Sequence, residues 1–208
     1  IYMTWYKYHQ DNVVINSAIN EINGISCVWQ RSFEAYDNPI NQLITDVYFS
    51  SSIEHSLYHK NTNHLIKNEV CVGTLLDYSR EFIEKKAINI KNKLYTNGAE
   101  TIIGLFDQNS TEELENINQK KNYEIMLNEV LKNPKMGLIL KPKKIYTLFK
   151  RLGYDIKILL DKAVKTGRCY IFDSGTKSQS NVLISLAALS SDINVCTNLR
   201  AGSSAVES

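Results

Sequence analysis

From residue 100 onward, the hydrophobic pattern alternates between short β-branched runs and longer helical stretches. Gly153 and Gly167 end two of the helical patterns. Short apolar strands separated by helices predict a parallel sheet that is covered on both faces, as in a Rossmann-like α/β fold. The predicted strands are 101–106, 136–140, 169–172 and 193–196, and the predicted helices are 114–131, 145–152, 156–164 and 182–189, with a further helix starting at 201.

The first hundred residues follow a similar but less regular pattern. The segment Tyr-Thr-Asn-Gly at 95–98 predicts a junction, because a polar turn there follows a long amphipathic helix. We therefore expect two domains, 1–98 and 99–208. In the first domain the predicted helices are 13–22, 53–65 and 78–94, and the predicted strands are 25–30, 45–49 and 70–73.

Composition narrows the class of protein. The 208 residues are 43% hydrophobic and 22% charged, with a formal net charge of +2. A hydrophobic fraction of this size is enough to form a folded core. The near balance of positive and negative residues disfavours a nucleic-acid-binding role. Residues 1–100 carry a net charge of −2 and residues 101–208 carry +4, which places an expected phosphate site after residue 100. The sequence has no apolar run of membrane-spanning length, so we expect at most peripheral membrane association.

The cysteines and histidines do not form a metal-binding motif. Four isolated cysteines in apolar, strand-like contexts predict buried free thiols in a reducing cytoplasm. His55, His59 and His64 share one helical face but lie in a polar run, so a solvated helix end is favoured over a metal cluster. We expect no metal and no cofactor.

Polar loops follow the predicted strands at the edge where a parallel α/β sheet binds its ligands. Ser110 and Glu113 have capping-box spacing, which predicts that a helix begins next to this crevice. Asn109 and Ser110 are therefore candidate phosphate-binding residues. Pro142 fixes a turn that leaves Lys141 and Lys143 near the crevice. Two interpretations of these lysines stay open: they contact a phosphate, or they are simply solvated. Lys150 and Arg151 are interpreted as a solvated helix face.

The last segment, Asn-Leu-Arg-Ala-Gly-Ser-Ser-Ala-Val-Glu, is the strongest candidate for a phosphate site. Gly202, Ser203 and Ser204 would begin a helix whose free N–H groups hold a diphosphate, and Glu207 would reach sugar hydroxyls. An ordinary helix start with Ser203 as N-cap is the alternative. The chain has no Walker A motif, no GxGxxG and no GxSxG or HExxH motif, so local motifs identify no catalytic residue.

Several of these segments together resemble a known family. A strand followed by Asp-Gln-Asn-Ser, then Gly-Leu-Ile-Leu-Lys-Pro-Lys, Gly-Arg-Cys-Tyr-Ile-Phe, Ser-Asp-Ile-Asn-Val and Ala-Gly-Ser-Ser-Ala-Val-Glu-Ser, resembles bacterial surface-carbohydrate or capsular-polysaccharide biosynthesis proteins. Those proteins have the two-domain GT-B glycosyltransferase fold. In outline the resemblance extends to CDP-glycerol glycerophosphotransferases and nucleotide-sugar epimerases.

The resemblance implies a function and a set of site residues. Residues 99–208 would be the nucleotide-donor domain, incomplete at its C-terminus, and residues 1–98 the last part of the acceptor-side domain, so the chain would be truncated at both ends. Gly202, Ser203, Ser204, Glu207 and Lys141 would contact the donor. The partners would be a nucleotide-sugar donor and a carbohydrate acceptor, and no nucleic acid.

This chain departs from the resemblance at one point. It has Gln-Arg-Ser at 30–32 where related transferases often have Gln-His, so no histidine general base is carried over. Two alternatives stay open: a non-catalytic binding or scaffold domain, and a nucleotide-sugar epimerase of the same fold. A response-regulator-like module is disfavoured because clustered acidic residues at the strand ends are lacking. The expected location is the cytoplasm, with the inner face of the membrane as the second option.

Overall fold

The computed structural model describes residues 1–5, 10–30, 42–73, 80–107, 111–173 and 183–197. The chain divides into two compact units, residues 1–78 and 79–208. The expected junction at 95–98 lies at the end of a helix that belongs to the second unit. The interpretation of the two parts as acceptor-side and donor-side domains stays a prediction.

The first unit contains a four-stranded parallel sheet in the order β1-β2-β3-β4. Its core is small: Val28, Leu43 and Tyr48 are buried, and Ile66 packs against them. The elements are β1 (Tyr2–Thr4), α1 (Gln10–Glu21), β2 (Ser26–Trp29), β3 (Ile44–Ser50), α2 (Ile53–Lys60) and β4 (Leu65–Cys71).

Helix α2 is shorter than the sequence predicts. It ends at Lys60, and Leu65, expected at the end of the helix, is the first residue of β4. The polar stretch 61–63 forms turns instead, in which the Thr62 hydroxyl donates to the His59 carbonyl oxygen. Side chains that bond to nearby carbonyls compete with helix continuation in this way.

The second unit contains a four-stranded parallel sheet in the order β7-β6-β5-β8. The predicted strands of this half are all present, within one residue at each end. The elements are α3 (Arg80–Thr96), β5 (Thr101–Phe106), α4 (Glu113–Lys132), β6 (Met136–Lys141), α5 (Ile145–Leu152), α6 (Tyr154–Lys165), β7 (Cys169–Ile171), α7 (Ile184–Leu189) and β8 (Ile193–Cys196).

Helices cover both faces of the second sheet. One apolar cluster joins α4, α5 and α6 to the sheet through residues such as Leu127, Leu138 and Leu148. The other joins α3 and α7 to the opposite face through residues such as Leu94, Ile139 and Ala187. Strand β6 is buried along its whole length, as expected for a parallel strand between two helical layers. The fold is therefore α/β and Rossmann-like in its general kind.

Helix α4 differs from its prediction in its first half. The residue preceding the helix is Glu112, not Ser110, and its side chain makes no capping hydrogen bond. Leu114 and Ile117, two apolar residues of the predicted helix, are 69% and 46% exposed. The buried stripe instead consists of Gln119, Tyr123, Leu127 and Val130, so a polar residue occupies the buried face where the helix approaches the end of β5.

Candidate functional site

The order of the second sheet defines a topological switch point between β5 and β8. From β5 the chain moves to β6 and β7 on one side, and β8 then pairs with the other side of β5. At the carboxyl end of β5, Phe106 is in register with Lys141 of β6 and with Cys196 of β8. Ligands of open parallel sheets bind outside the strand ends at such a point. The crevice at these three strand ends is therefore the candidate site.

Asp107 is the first residue after β5 and lies at the centre of this edge. Its side chain is fully removed from solvent. One carboxylate oxygen accepts a hydrogen bond of 2.6 Å from the backbone N–H of Lys143. The other accepts one of 3.0 Å from the Arg151 guanidinium. Burial raises the pKa of Asp107, and the Lys143 N–H and the Arg151 charge oppose that rise.

Arg151, at the end of α5, is the partner that holds Asp107. Its guanidinium also donates to the side-chain oxygens of Asn116 and Gln119 on α4, at 3.2 and 2.8 Å. The side chain is only 9% exposed, so the interpretation of Arg151 as part of a solvated helix face is wrong. Lys150, its neighbour, is exposed as expected. Arg151 turns inward because Asp107 and the buried Gln119 supply acceptors that a guanidinium needs when it leaves water.

Tyr123 is a further buried polar residue close to Asp107. The ring is fully buried on α4, and burial, together with the nearby Asp107 charge, raises the pKa of its hydroxyl well above the usual value. The neutral phenol is therefore the stable form beside the carboxylate. No local sequence motif identifies Asp107, Arg151 or Tyr123 as residues of this site. The available signal was an acidic residue directly after a largely apolar strand of six residues, four of which are buried, because a carboxylate there needs a partner.

Lys141 is the last residue of β6 and is only 6% exposed. Its ammonium donates one long hydrogen bond, of 3.5 Å, to the carbonyl oxygen of Pro142. Burial lowers the pKa of Lys141, and the charge of Asp107 acts in the opposite direction. Among the described residues, this hydrogen bond and the Asp107 charge compensate the ammonium, and a bound anion would add to them.

The other predicted site residues are placed as follows. Lys143 is exposed, and its backbone rather than its side chain contacts Asp107. Thr197, which was not a predicted site residue, follows β8, and its hydroxyl donates to the Phe106 carbonyl oxygen at 3.1 Å, so that it joins the ends of β8 and β5. Six predicted residues lie outside the described part of the chain: Asn109, Ser110, Gly202, Ser203, Ser204 and Glu207.

A groove of about 610 Å³ lies beside this network, between the first turns of α4 and helix α5. We call it the α4–α5 groove. Arg151 forms part of its wall, so one side chain contributes both to the groove and to the Asp107 network. The other lining residues are Thr111, which precedes α4, Glu113, Asn116, Ile117 and Lys120 on α4, and Thr147 and Lys150 on α5.

The histidines of the first unit are not a solvated helix end. His55 and His59 are buried, with ring centroids 5.2 Å apart, and the His59 and His64 centroids are 4.7 Å apart. His59 Nδ1 lies 3.0 Å from a carboxylate oxygen of Glu69. The rings are inside because α2 packs on β3, where the Tyr48 ring meets His59 edge to face. In the described ranges no group of His, Cys, Asp and Glu side chains has a metal-binding arrangement.

The cysteines are all free, but they are not all buried. Cys27 and Cys169 are buried, whereas Cys71 is exposed and Cys196 is intermediate. Cys71 is exposed because it ends β4, an edge strand of the first sheet. Burial raises the pKa of Cys169 to about 12, so this thiol is not a nucleophile at neutral pH.

The fold and this edge define a class of protein, an α/β protein with Rossmann-like parallel sheets and a polar crevice at a switch point. No family model, curated protein or solved structure matches the chain. None of the helices in the described ranges is both long enough and apolar enough to cross a membrane.

Proposed function

We propose that the second unit binds the nucleotide diphosphate of an activated donor at the switch-point crevice. The observation that carries the proposal is the burial of Lys141 at a strand end, where among the described residues its ammonium makes one long hydrogen bond. A diphosphate placed at the ends of β5 and β6 would supply the missing negative charge. Lys143, exposed on the next turn, would add a second cation.

The full activity that we propose is transfer of a sugar, or of a polyol phosphate, from that donor in surface-polysaccharide synthesis, on a GT-B-like scaffold. This extension rests on the resemblance described above. The lysines would stabilise the departing diphosphate, assisted by N–H groups at Gly202, Ser203 and Ser204, with Glu207 on the ribose. A nucleotide-sugar epimerase would use the same donor site.

A non-catalytic binding domain is the second candidate, and the state of Asp107 favours it. A carboxylate acts as a general base only where it can reach the substrate. Asp107 instead has its two oxygens held by Arg151 and the Lys143 N–H. Turnover would therefore depend on other groups, such as the exposed Asp173 that follows β7 at the same edge of the sheet.

Thermal melts of the full chain with UDP, CDP and GDP test the binding proposal. Binding to the folded state raises the melting temperature, and the rise grows with the logarithm of the ligand concentration above Kd. We expect a rise with at least one nucleotide, and a smaller rise in Lys141→Ala and Glu207→Ala. Lys132→Ala, an exposed lysine at the far end of α4, is the matched control and should keep the full rise. No shift with any of the three nucleotides contradicts the proposal.

Donor hydrolysis separates the two candidates. If the chain binds a nucleotide and also releases the free sugar from the matching nucleotide sugar, the transferase is supported. Binding without detectable sugar release supports the non-catalytic domain.

A further inference from the structure

Two of the four charged residues that line the α4–α5 groove form ion pairs with carboxylates of the protein itself. The Lys120 ammonium lies 2.7 Å from a carboxylate oxygen of Asp155. Arg151 is paired with Asp107. These two cations are therefore neutralised in place, and an anionic ligand would have to compete with existing carboxylates to reach them.

Two opposite charges of the groove are left for a ligand. Glu113 and Lys150 are both exposed, and in the described part of the chain neither forms an ion pair, with each other or with any other group. The groove thus offers one free carboxylate and one free ammonium, which balance. Strongly anionic ligands are disfavoured by Glu113, and strongly cationic ligands by Lys150.

The remaining lining suits a neutral ligand with many hydroxyl groups. Thr111, at the rim, contributes an exposed hydroxyl that both donates and accepts. A carboxylate accepts two hydroxyl hydrogen bonds, and an ammonium donates up to three. Ile117 lines the groove and is 46% exposed, which offers an apolar surface to the C–H face of a sugar ring. The volume of about 610 Å³ falls in the range of about 300–1,000 Å³ usual for small-molecule sites.

We propose that the α4–α5 groove binds a neutral saccharide chain, with Glu113 and Lys150 as its principal polar contacts. This inference rests on the proposed function, in which the chain would be the carbohydrate acceptor or product. Arg151 connects this groove to the donor crevice, because it lines the groove and also holds Asp107. An occupied groove would thus lie against the residue that fixes the crevice edge.

The test is saturation-transfer NMR on the full chain, followed by titration, with four neutral tetrasaccharides as probes: maltotetraose, mannotetraose, galactotetraose and chitotetraose. We expect at least one to bind. In the double variant Glu113→Gln/Lys150→Met we expect its Kd to rise about tenfold or more. Both side chains are exposed, so the fold should survive the exchange.

The control variant also removes one negative and one positive charge, both at exposed positions away from the groove. Glu129→Gln/Lys132→Ala changes an exposed pair at the other end of α4 and should leave the Kd unchanged. Failure of all four saccharides to bind overturns the inference, as does binding that the groove variant does not weaken. Inorganic phosphate that binds through Lys150 more tightly than any saccharide also overturns it.

The two binding measurements distinguish failure of the groove proposal from failure of the nucleotide-binding proposal. Nucleotide binding without saccharide binding removes the groove proposal and leaves the donor site. Saccharide binding that depends on Glu113 and Lys150, without any nucleotide binding, supports the groove and removes the donor site.

Discussion

Asp107, at the end of β5, and Arg151, at the end of α5, form an ion pair of 3.0 Å in which the carboxylate is fully buried and the arginine is 9% exposed. The pair joins the switch-point edge of the sheet to the helices that follow β5 and β6. The other carboxylate oxygen of Asp107 accepts a hydrogen bond from the Lys143 N–H. Asp107 therefore also fixes the turn after β6.

Asp107→Asn removes the charge that compensates the buried guanidinium. Loss of one partner of a buried pair costs about 3–5 kcal/mol, and the retained amide oxygen should hold the cost near the lower figure. Urea unfolding followed by far-UV circular dichroism measures the change in the free energy of unfolding. Glu100→Gln is the control, because Glu100 and Lys135 form an ion pair in which both side chains are more than 60% exposed. That change should cost less than about 1 kcal/mol, and equal losses in the two variants would contradict the account.

Lys141→Met should affect stability and nucleotide binding in opposite directions. Burial lowers the pKa of Lys141, so the charged form is less stable in the folded protein than in the unfolded one. An apolar side chain of similar length removes that cost, and we expect the free energy of unfolding without ligand to rise by about 1 kcal/mol. The melting shift with nucleotide should fall in the same variant. A variant that is less stable and still binds nucleotide normally would show that Lys141 has a structural role.

Asp46 makes the first unit sensitive to acid. Hydrogen bonds from Lys67 and from the backbone N–H of Ser26 lower the pKa of Asp46 from 3.8 to about 2. The carboxylate therefore stabilises the fold above pH 3.8, and this contribution is lost as the pH falls toward 2.

The matching measurement compares wild type with Asp46→Asn by urea unfolding at several pH values. The two tryptophans, Trp5 and Trp29, both belong to the first unit, so tryptophan fluorescence reports this unit. The wild type should be the more stable protein at pH 7, and the difference should narrow between about pH 4 and pH 2. A difference that stays constant across this range would refute the assignment.

Gly104→Ala tests the close packing of β5 against β8. A Cβ at this position would lie 2.5 Å from the Ser191 hydroxyl and 2.9 Å from the Asn194 side-chain oxygen. Those two atoms are hydrogen-bonded to each other at 2.6 Å, so neither moves without breaking that bond. We expect a loss of about 1–3 kcal/mol in urea unfolding. Thr101→Ala, at the exposed start of the same strand, should have a much smaller effect. Equal effects would mean that the β8 contact tolerates the added methyl group.

Most of the second unit could be predicted from the sequence because its strands are short apolar runs between clear helix stops. Gly153, for example, has a φ of +100° between α5 and α6, a conformation that glycine adopts without a steric penalty. The prediction failed where polar residues are buried. Arg151 was predicted to lie on a solvated helix face, and nothing in the pattern indicated that Gln119 is buried. Only the approach of α4 and α5 to Asp107 makes their burial favourable.

The candidate site was predictable in position but not in detail. Strand ends in a parallel sheet indicate where ligands bind. Lys141 is at such a strand end, as predicted, and its contact with a phosphate stays a prediction. The partners of Asp107 lie 36 and 44 residues further along the chain, and no local motif encodes such a contact. The histidines of α2 show the same limit, because their burial depends on Tyr48 of a neighbouring strand.

Hydrogen–deuterium exchange of the full chain, with and without the nucleotide that gives the largest melting shift, tests the central claim most directly. Bound ligand slows exchange where it covers or stabilises the backbone. The account predicts added protection at 105–107, 141–144 and 195–197, the carboxyl ends of β5, β6 and β8 with their following turns, and little change at the opposite edge near 101 and 192–193. Protection confined to that opposite edge or to residues 1–78, with none at the three strand ends, would contradict it.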